Sequence, residues 1–210
     1  MKVALYGATG QSGSRILKEL ASRGHKVIAI ARNPANVAER GPDVVVRQDD
    51  LSDPKTIAAA IDGAEAVVSA YGPPKDNPDA ILGVTERQIE AVSRHPGIRL
   101  VMVGGAGGLH VAPGLTLLES GYLPEAFYPI VKAHIKTFNL LRASKIDWTY
   151  FAPAPYFEPG KRTGKFRLGT DELIADAQQE SRISMEDYAI ALVDELEQPR
   201  HRRQRFSIGY

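Results

Sequence analysis

One stretch near the N-terminus, Gly7-Ala8-Thr9-Gly10-Gln11-Ser12-Gly13, constrains this chain more than any other. It follows a short apolar run, Val3 to Tyr6, and leads into Ser12 to Ser22, where Ile16, Leu17 and Leu20 recur at helical spacing. Val27 to Ala31 is again continuous and apolar. Strand, glycine turn, helix and strand in about thirty residues make a βαβ unit, whose crossover is right-handed in nearly all proteins. Glycine at the first position permits a sharp bend, and at the second it lets backbone approach a pyrophosphate. At the third it clears the crossing of helix and strand. The N–H groups that open the helix then face anionic oxygens. The turn therefore predicts a dinucleotide site built from Gly7, Thr9, Gly10, Gln11, Ser12 and Gly13. Its spacing is Gly-x-x-Gly-x-x-Gly, and it is no P-loop, because Ser14-Arg15 stands where Lys-Ser or Lys-Thr is required.

The alternation continues along the chain. Val44 to Val46 reads as a third strand, Pro54 to Ile61 as a helix capped from Ser52-Asp53, and Ala66 to Ala70 as a fourth strand. A helix over Ala80 to Ser93 stops at His95-Pro96-Gly97 before a strand from Ile98 to Val103. After the glycines at 104–108 the pattern loosens to Pro129, then a helix from Ile130 to Ser144 and a strand from Trp148 to Ala152 restore it. Lys165 to Leu168 with Leu173 to Ala175 suggests a small hairpin or an extended excursion. Ser184 and Asp187 suggest a reciprocal cap on a last helix, and Arg205 to Ile208 a closing strand. Strands without polar alternation are covered on both faces. The expected fold is α/β, a Rossmann-like doubly wound, mainly parallel sheet with helices on both faces and a small C-terminal excursion. We expect one NAD(P)-binding domain over 1–210, with substrate-side segments around 105–129 and 153–182.

The 26 basic residues against 25 acidic ones give a charge of +1, which argues against nucleic acid as a partner. Arg200-His201-Arg202-Arg203-Gln204-Arg205 reads as a solvated turn before the last strand. With no cysteine there is no disulfide, thiol nucleophile or thiolate metal site, which fits a cytoplasmic address. No stretch reaches the eighteen or so apolar residues of a membrane span, and the four apolar residues after Met1-Lys2 are too few for a signal-peptide core. Histidines 25, 95 and 201 show no metal-ligand spacing, so no metal is expected.

The end of the second strand bears on which dinucleotide binds. A carboxylate there suits the ribose hydroxyls of NAD(H), but this chain has Ala31-Arg32-Asn33-Pro34. Arg32 can pair with a 2′-phosphate, so NADP(H) is preferred and NAD(H) is second; the plain alternative is an arginine that solvates a strand end. Asp49, Asp50 and Leu51 follow the third strand, either with one carboxylate on the adenine amino group and Leu51 on its ring or as a pair of turn or capping aspartates. Ala70, Tyr71 and Gly72 follow the fourth, where ribose and pyrophosphate should pass.

These segments, with Val101-Met102-Val103-Gly104-Gly105-Ala106-Gly107, Asp147-Trp148-Thr149-Tyr150, Glu158-Pro159-Gly160 and Arg182-Ile183-Ser184-Met185-Glu186-Asp187, resemble the atypical short-chain dehydrogenase/reductase superfamily. The resemblance is to its NmrA-like NAD(P)H-binding branch, with proteins described as NADH-flavin reductases or related to biliverdin reductase B. It implies Gly104 and Pro153 as further cofactor contacts. It also implies catalytic roles for Tyr128 and Lys132 in a Tyr-x-x-x-Lys pattern, with Lys132 on the nicotinamide ribose and Tyr128 as proton donor. Pro129 suggests that Tyr128 precedes the helix, and only Thr116 or Ser120 stands where an upstream serine belongs. His134 is expected at the surface, His110 at the mouth of the site and Trp148 in the core. Tyr156 and Phe157 are expected to form an apolar wall over a planar substrate.

The leading expectation is an NADPH-dependent oxidoreductase that passes hydride to a small planar acceptor, flavin or quinone, with flavin an acceptor rather than a tightly bound cofactor. Its alternatives are a carbonyl reductase or nucleotide-sugar epimerase using Tyr128 and Lys132, and a non-catalytic NADP-binding sensor or co-regulator. The sequence leaves monomer and homodimer equally open.

Overall fold

In β1 (Lys2–Tyr6), Val3 and Leu5 join one buried apolar cluster while Ala4 and Tyr6 join another. A pleated strand points alternate side chains to opposite faces, so a strand apolar throughout must be covered on both. The computed structural model, which describes residues 1–210, supplies that cover. After β1 come α1 (Gln11–Ser22), β2 (Lys26–Ala31), β3 (Val44–Gln48), α2 (Pro54–Ala60), β4 (Ala66–Ser69), α3 (Ala80–Ser93) and β5 (Arg99–Val103). The second half contains β6 (His110–Ala112), β7 (Leu115–Thr116), α4 (Tyr128–Ala143), β8 (Asp147–Ala152) and β9 (Tyr156–Glu158). It ends with β10 (Arg167–Gly169), β11 (Arg182–Ser184), α5 (Met185–Glu197) and β12 (Gln204–Gly209).

Eight strands form one sheet in the order β10-β12-β8-β5-β4-β1-β2-β3, parallel except where β10 runs against β12. Helices α1 and α5 pack together on one face, and α2, α3 and α4 on the other. This is the Rossmann-like, doubly wound fold expected. From β1 the chain builds outward through β2 and β3 to one edge, then returns to start the other half at β4. The crevice above the carboxyl ends of β1 and β4 is thus the topological switch point, where sheets of this kind take ligands.

Several local expectations are sharpened or corrected. Of the two alternatives for 165–175 the hairpin does not form: β10 pairs with β12 and extends the main sheet, while Leu173 is tied by its N–H to the His110 carbonyl. The cap on α5 is not reciprocal. Ser184 Oγ accepts from the Asp187 N–H at 3.0 Å, but the Asp187 carboxylate turns to Thr163, Gly164 and Tyr210. Asp is one carbon shorter than the Glu of a capping box, and the 160–164 loop offers it several donors. The basic run before β12 is the exposed turn expected, and its side chains also find partners: His201 pairs with Glu195, Arg202 with Asp147, and Arg203 donates to carbonyls at the end of α4.

Candidate functional site

The glycine turn is shaped by close approach. Gly7 has φ +79°, and a Cβ there would lie 2.3 Å from the Ala70 carbonyl oxygen. A Cβ at Gly13 would lie 2.0 Å from the Gly7 carbonyl oxygen. Neither contact is sterically allowed, so side chains at 7 and 13 would push β4 or α1 away. Gly10 occupies the N-cap of α1, and no side chain caps the helix. Its first N–H groups, which lack intrahelical acceptors, therefore open toward the crevice with the positive end of the helix dipole behind them. That end of the crevice can hold a pyrophosphate.

A cavity of about 500 Å³ extends from this turn across the ends of β2, β3 and β4. Gly7, Thr9, Gly10, Gln11 and Ser12 line one end; Arg32, Asp50 and Leu51 line the other, with Ala70, Tyr71 and Gly72 between. Gly13 lies behind the turn, in the packing of α1, and is not part of the wall. Gly104, Tyr128, Lys132 and Pro153 also lie outside this wall. A larger cavity of about 780 Å³ sits on the outer side of β9, away from the turn.

Arg32 is exposed, and its guanidinium has no hydrogen-bond or ion-pair partner; only its carbonyl is engaged, by Gln48. Asn33 caps the short turn that follows, accepting from the Ala35 N–H at 3.1 Å. The two neighbouring aspartates have separate duties. Asp49 is buried, accepting from the Leu51 N–H at 2.8 Å and the Tyr6 hydroxyl at 3.4 Å. Burial, with the Asp49 charge behind it, pushes the Tyr6 hydroxyl far above its ordinary pKa, so it remains a donor. This bond holds Leu51 at φ +64°, while Arg87 fixes its carbonyl at 2.7 Å. Asp50 faces the cavity in solvent. Hydrogen bonds from Ser52, with the nearby Arg32 charge, hold its carboxyl below the ordinary range.

Tyr128 is the first residue of α4 rather than a residue before it, with Pro129 in the first turn, where a missing N–H costs nothing. Lys132 lies one turn on, its Nζ 5.8 Å from the centre of the Tyr128 ring. Lys132 is exposed and Tyr128 half-buried. The upstream hydroxyls are engaged locally, Thr116 donating to Glu119 at 2.6 Å and Ser120 to the Leu117 carbonyl at 2.7 Å. His110 lies on β6 and ties the 105–129 segment to Asp171 and Leu173.

His134 is half-buried rather than fully at the surface. A Cβ at Gly105 would come within 3.1 Å of its ring, and burial pushes its pKa down to about 4. The Tyr150 hydroxyl accepts from the Gly105 N–H at 2.9 Å and donates to the His134 carbonyl at 3.2 Å. Gly104 exists to admit Tyr150, since a Cβ there would sit 2.3 Å from its ring. Pro153 is buried beyond β8. Trp148 is buried as expected, with Phe138 edge-on at 5.9 Å.

The expected aromatic wall is split. Tyr156 and Phe157 are adjacent in β9, so their side chains leave on opposite sides. Phe157 lines the turn's cavity and packs 4.8 Å from Tyr188; Tyr156 lines the outer cavity and is 52% exposed. Sequence reasoning did not select Pro74 or Met185 as members of the site region, although both line the cavity. Met185 follows the Ser184 cap, the one sequence signal that could have placed it there.

The sequence family described as NAD(P)H-binding matches residues 7–199. YwnB, an uncharacterized protein of Bacillus subtilis (strain 168), is 37% identical over 214 residues, covering 99% of this chain and 98% of its own. A "putative epimerase" of Bacteroides thetaiotaomicron has a solved structure 42% identical, with a TM-score of 0.93 over 100% of this chain and 96% of its own. A "putative NADH-flavin reductase" of Streptococcus pneumoniae TIGR4 is 32% identical, with a TM-score of 0.86 over 100% and 99% of the two chains.

Proposed function

This chain belongs to the NAD(P)H-binding family, and on that premise we propose that it is an NADPH-dependent oxidoreductase acting on a small planar acceptor of the flavin or quinone class. The observation that carries this reading is one cavity with an uncapped helix start at one end and a partnerless guanidinium at the other. Gly7, Gly10 and the N–H groups of Gln11 and Ser12 would hold the pyrophosphate, and Gly13 keeps the helix close enough to do so. Arg32 would pair with a 2′-phosphate, while Leu51 and Asp50 border the adenine and Ala70 to Gly72 the ribose. Lys132 is the cation on the α4 side that would reach the nicotinamide ribose. When bound, the dihydronicotinamide supplies a hydride, and the acceptor takes a further proton from water.

A planar acceptor of this class needs stacking and no dedicated acid, which matches the local engagement of the Thr116 and Ser120 hydroxyls. The single helical turn between Tyr128 and Lys132 supports the second reading, a carbonyl reductase or epimerase. Purified protein with NADPH and riboflavin, FMN or a quinone should show enzyme-dependent loss of NADPH absorbance. Inertness toward all three, together with turnover of a carbonyl substrate that Tyr128→Phe abolishes, would replace the first reading with the second.

A further inference from the structure

Beside the cofactor cavity, and sharing Pro74 with it, lies a slot of about 370 Å³. One wall is the Pro73-Pro74-Lys75 turn with Pro78; the other is Ala126, Phe127, Pro129 and Ile130 at the start of α4. Four of the eight lining residues are prolines, which have no N–H to donate. Ala126, Phe127 and Ile130 add no polar side-chain atom, and Lys75 brings the one charged group to the lining. Two of the main-chain acceptors are also taken: the Pro74 carbonyl accepts from Asn77 at 3.1 Å and the Pro78 carbonyl from Ile81 at 3.4 Å.

Apart from the Lys75 ammonium, these walls select by shape and apolar contact. A hydroxyl-rich sugar entering the slot would leave donors and acceptors unpaired, at about 1–3 kcal/mol for each buried group. A flat fused ring would instead gain roughly 25 cal/mol for each Å² of apolar surface buried. The volume is within the range of small-ligand sites. The walls are also preorganised: prolines have little side-chain entropy to lose, and α3 packs directly on α4 behind them. Phe127 is 55% exposed at the mouth, a large aromatic ring left in water with no partner in the fold.

We propose that this slot seats the ring of the hydride acceptor, and that Phe127 sets a preference for fused aromatic rings over hydroxyl-rich substrates. The proposal rests on the oxidoreductase reading above. The reaction it serves balances as NADPH plus a proton plus the oxidised ring giving NADP⁺ and the dihydro ring. Continuity through Pro74 places the acceptor next to the cofactor cavity without occupying it.

The test is a titration of riboflavin, by quenching of its fluorescence, into protein saturated with NADP⁺, with NADPH affinity measured in parallel by calorimetry. Phe127→Ser removes the ring, and Ala126→Arg projects a long charged side chain from the other part of that wall; both sites are exposed, so folding is not at stake. Losing one aromatic contact should weaken riboflavin about threefold to tenfold, and Ala126→Arg should do so by about tenfold or more, with NADPH affinity unchanged within about twofold. If wild-type protein binds and reduces riboflavin but neither variant changes that, the slot assignment fails and the oxidoreductase reading stands. Variants that lose NADPH together with riboflavin also overturn the slot, because the lesion is then in the cofactor cavity. If wild-type protein holds NADPH tightly yet neither binds nor reduces flavins or quinones, the oxidoreductase reading itself fails.

Discussion

At the amino edge of the sheet Arg99 and Glu195 lie 2.7 Å apart with almost no solvent exposure, and the same carboxylate accepts from His201 and from the Arg200 N–H. Arg23 pairs with Glu19, Asp194 and Glu197, and His25 meets Glu197 at 2.8 Å. At the carboxyl edge, Arg32 and Lys132 have no carboxylate partner, and α1 begins without a cap. Buried charge at the first edge is tolerable because the Glu195 carboxylate gathers donors from Arg99, Arg200 and His201, although the Arg99 Nε is left without a partner. Open donors and cations at the second contribute little to folding and are available to an anionic ligand. The difference separates charge that holds this molecule together from charge that can recognise something else.

That contrast can be broken at several points. The largest effect is expected at the amino edge: Glu195→Ala leaves Arg99 buried and uncompensated and should cost about 3–5 kcal/mol in urea unfolding. NADPH affinity of the folded fraction should stay intact, and a cost below about 1 kcal/mol would mean the pair is not structural. Next, Gly13→Ala puts a methyl against the Gly7 carbonyl, where there is no room. NADPH affinity should fall by about a hundredfold, or roughly 2.7 kcal/mol, and the thermal shift it produces should vanish. Arg32→Ala should weaken NADPH about tenfold, from the loss of a charge-assisted pair of ~1.5 kcal/mol or more, while NADH changes less than about twofold. Equal losses for both dinucleotides in calorimetry would remove the 2′-phosphate role.

The smallest effect concerns pH. Burial lowers the His134 pKa from 6.5 to about 4, so the unfolded chain takes up this proton first as acid is added. The contribution is complete above pH 6.5 and is lost as pH falls toward 4. His134→Asn should flatten this part of the stability profile relative to wild type. Parallel profiles would show that the ring titrates freely.

Much of the fold was legible because its signals are local. The run Val3 to Tyr6, the glycines at 7, 10 and 13, and the helical recurrence of Ile16, Leu17 and Leu20 lie within one βαβ unit, and each is set by steric rules acting over a few residues. Other features depend on distant neighbours. The division between Asp49 and Asp50 depends on Tyr6, 43 residues before Asp49. His134 is half-covered because Gly105 and Tyr150 pack against it, and a helical repeat cannot show what lies opposite.

Backbone sterics and apolar periodicity act over a few residues, and they were enough for the doubly wound sheet and for the glycine turn between β1 and α1. Only the tertiary structure decided that Phe157 faces the cavity and Tyr156 does not, that β10 completes the main sheet, and that Pro73, Pro74, Pro78 and Pro129 form one slot. Those outcomes come from segments far apart in the chain packing against one another, and only packing chooses which face of a strand is inside.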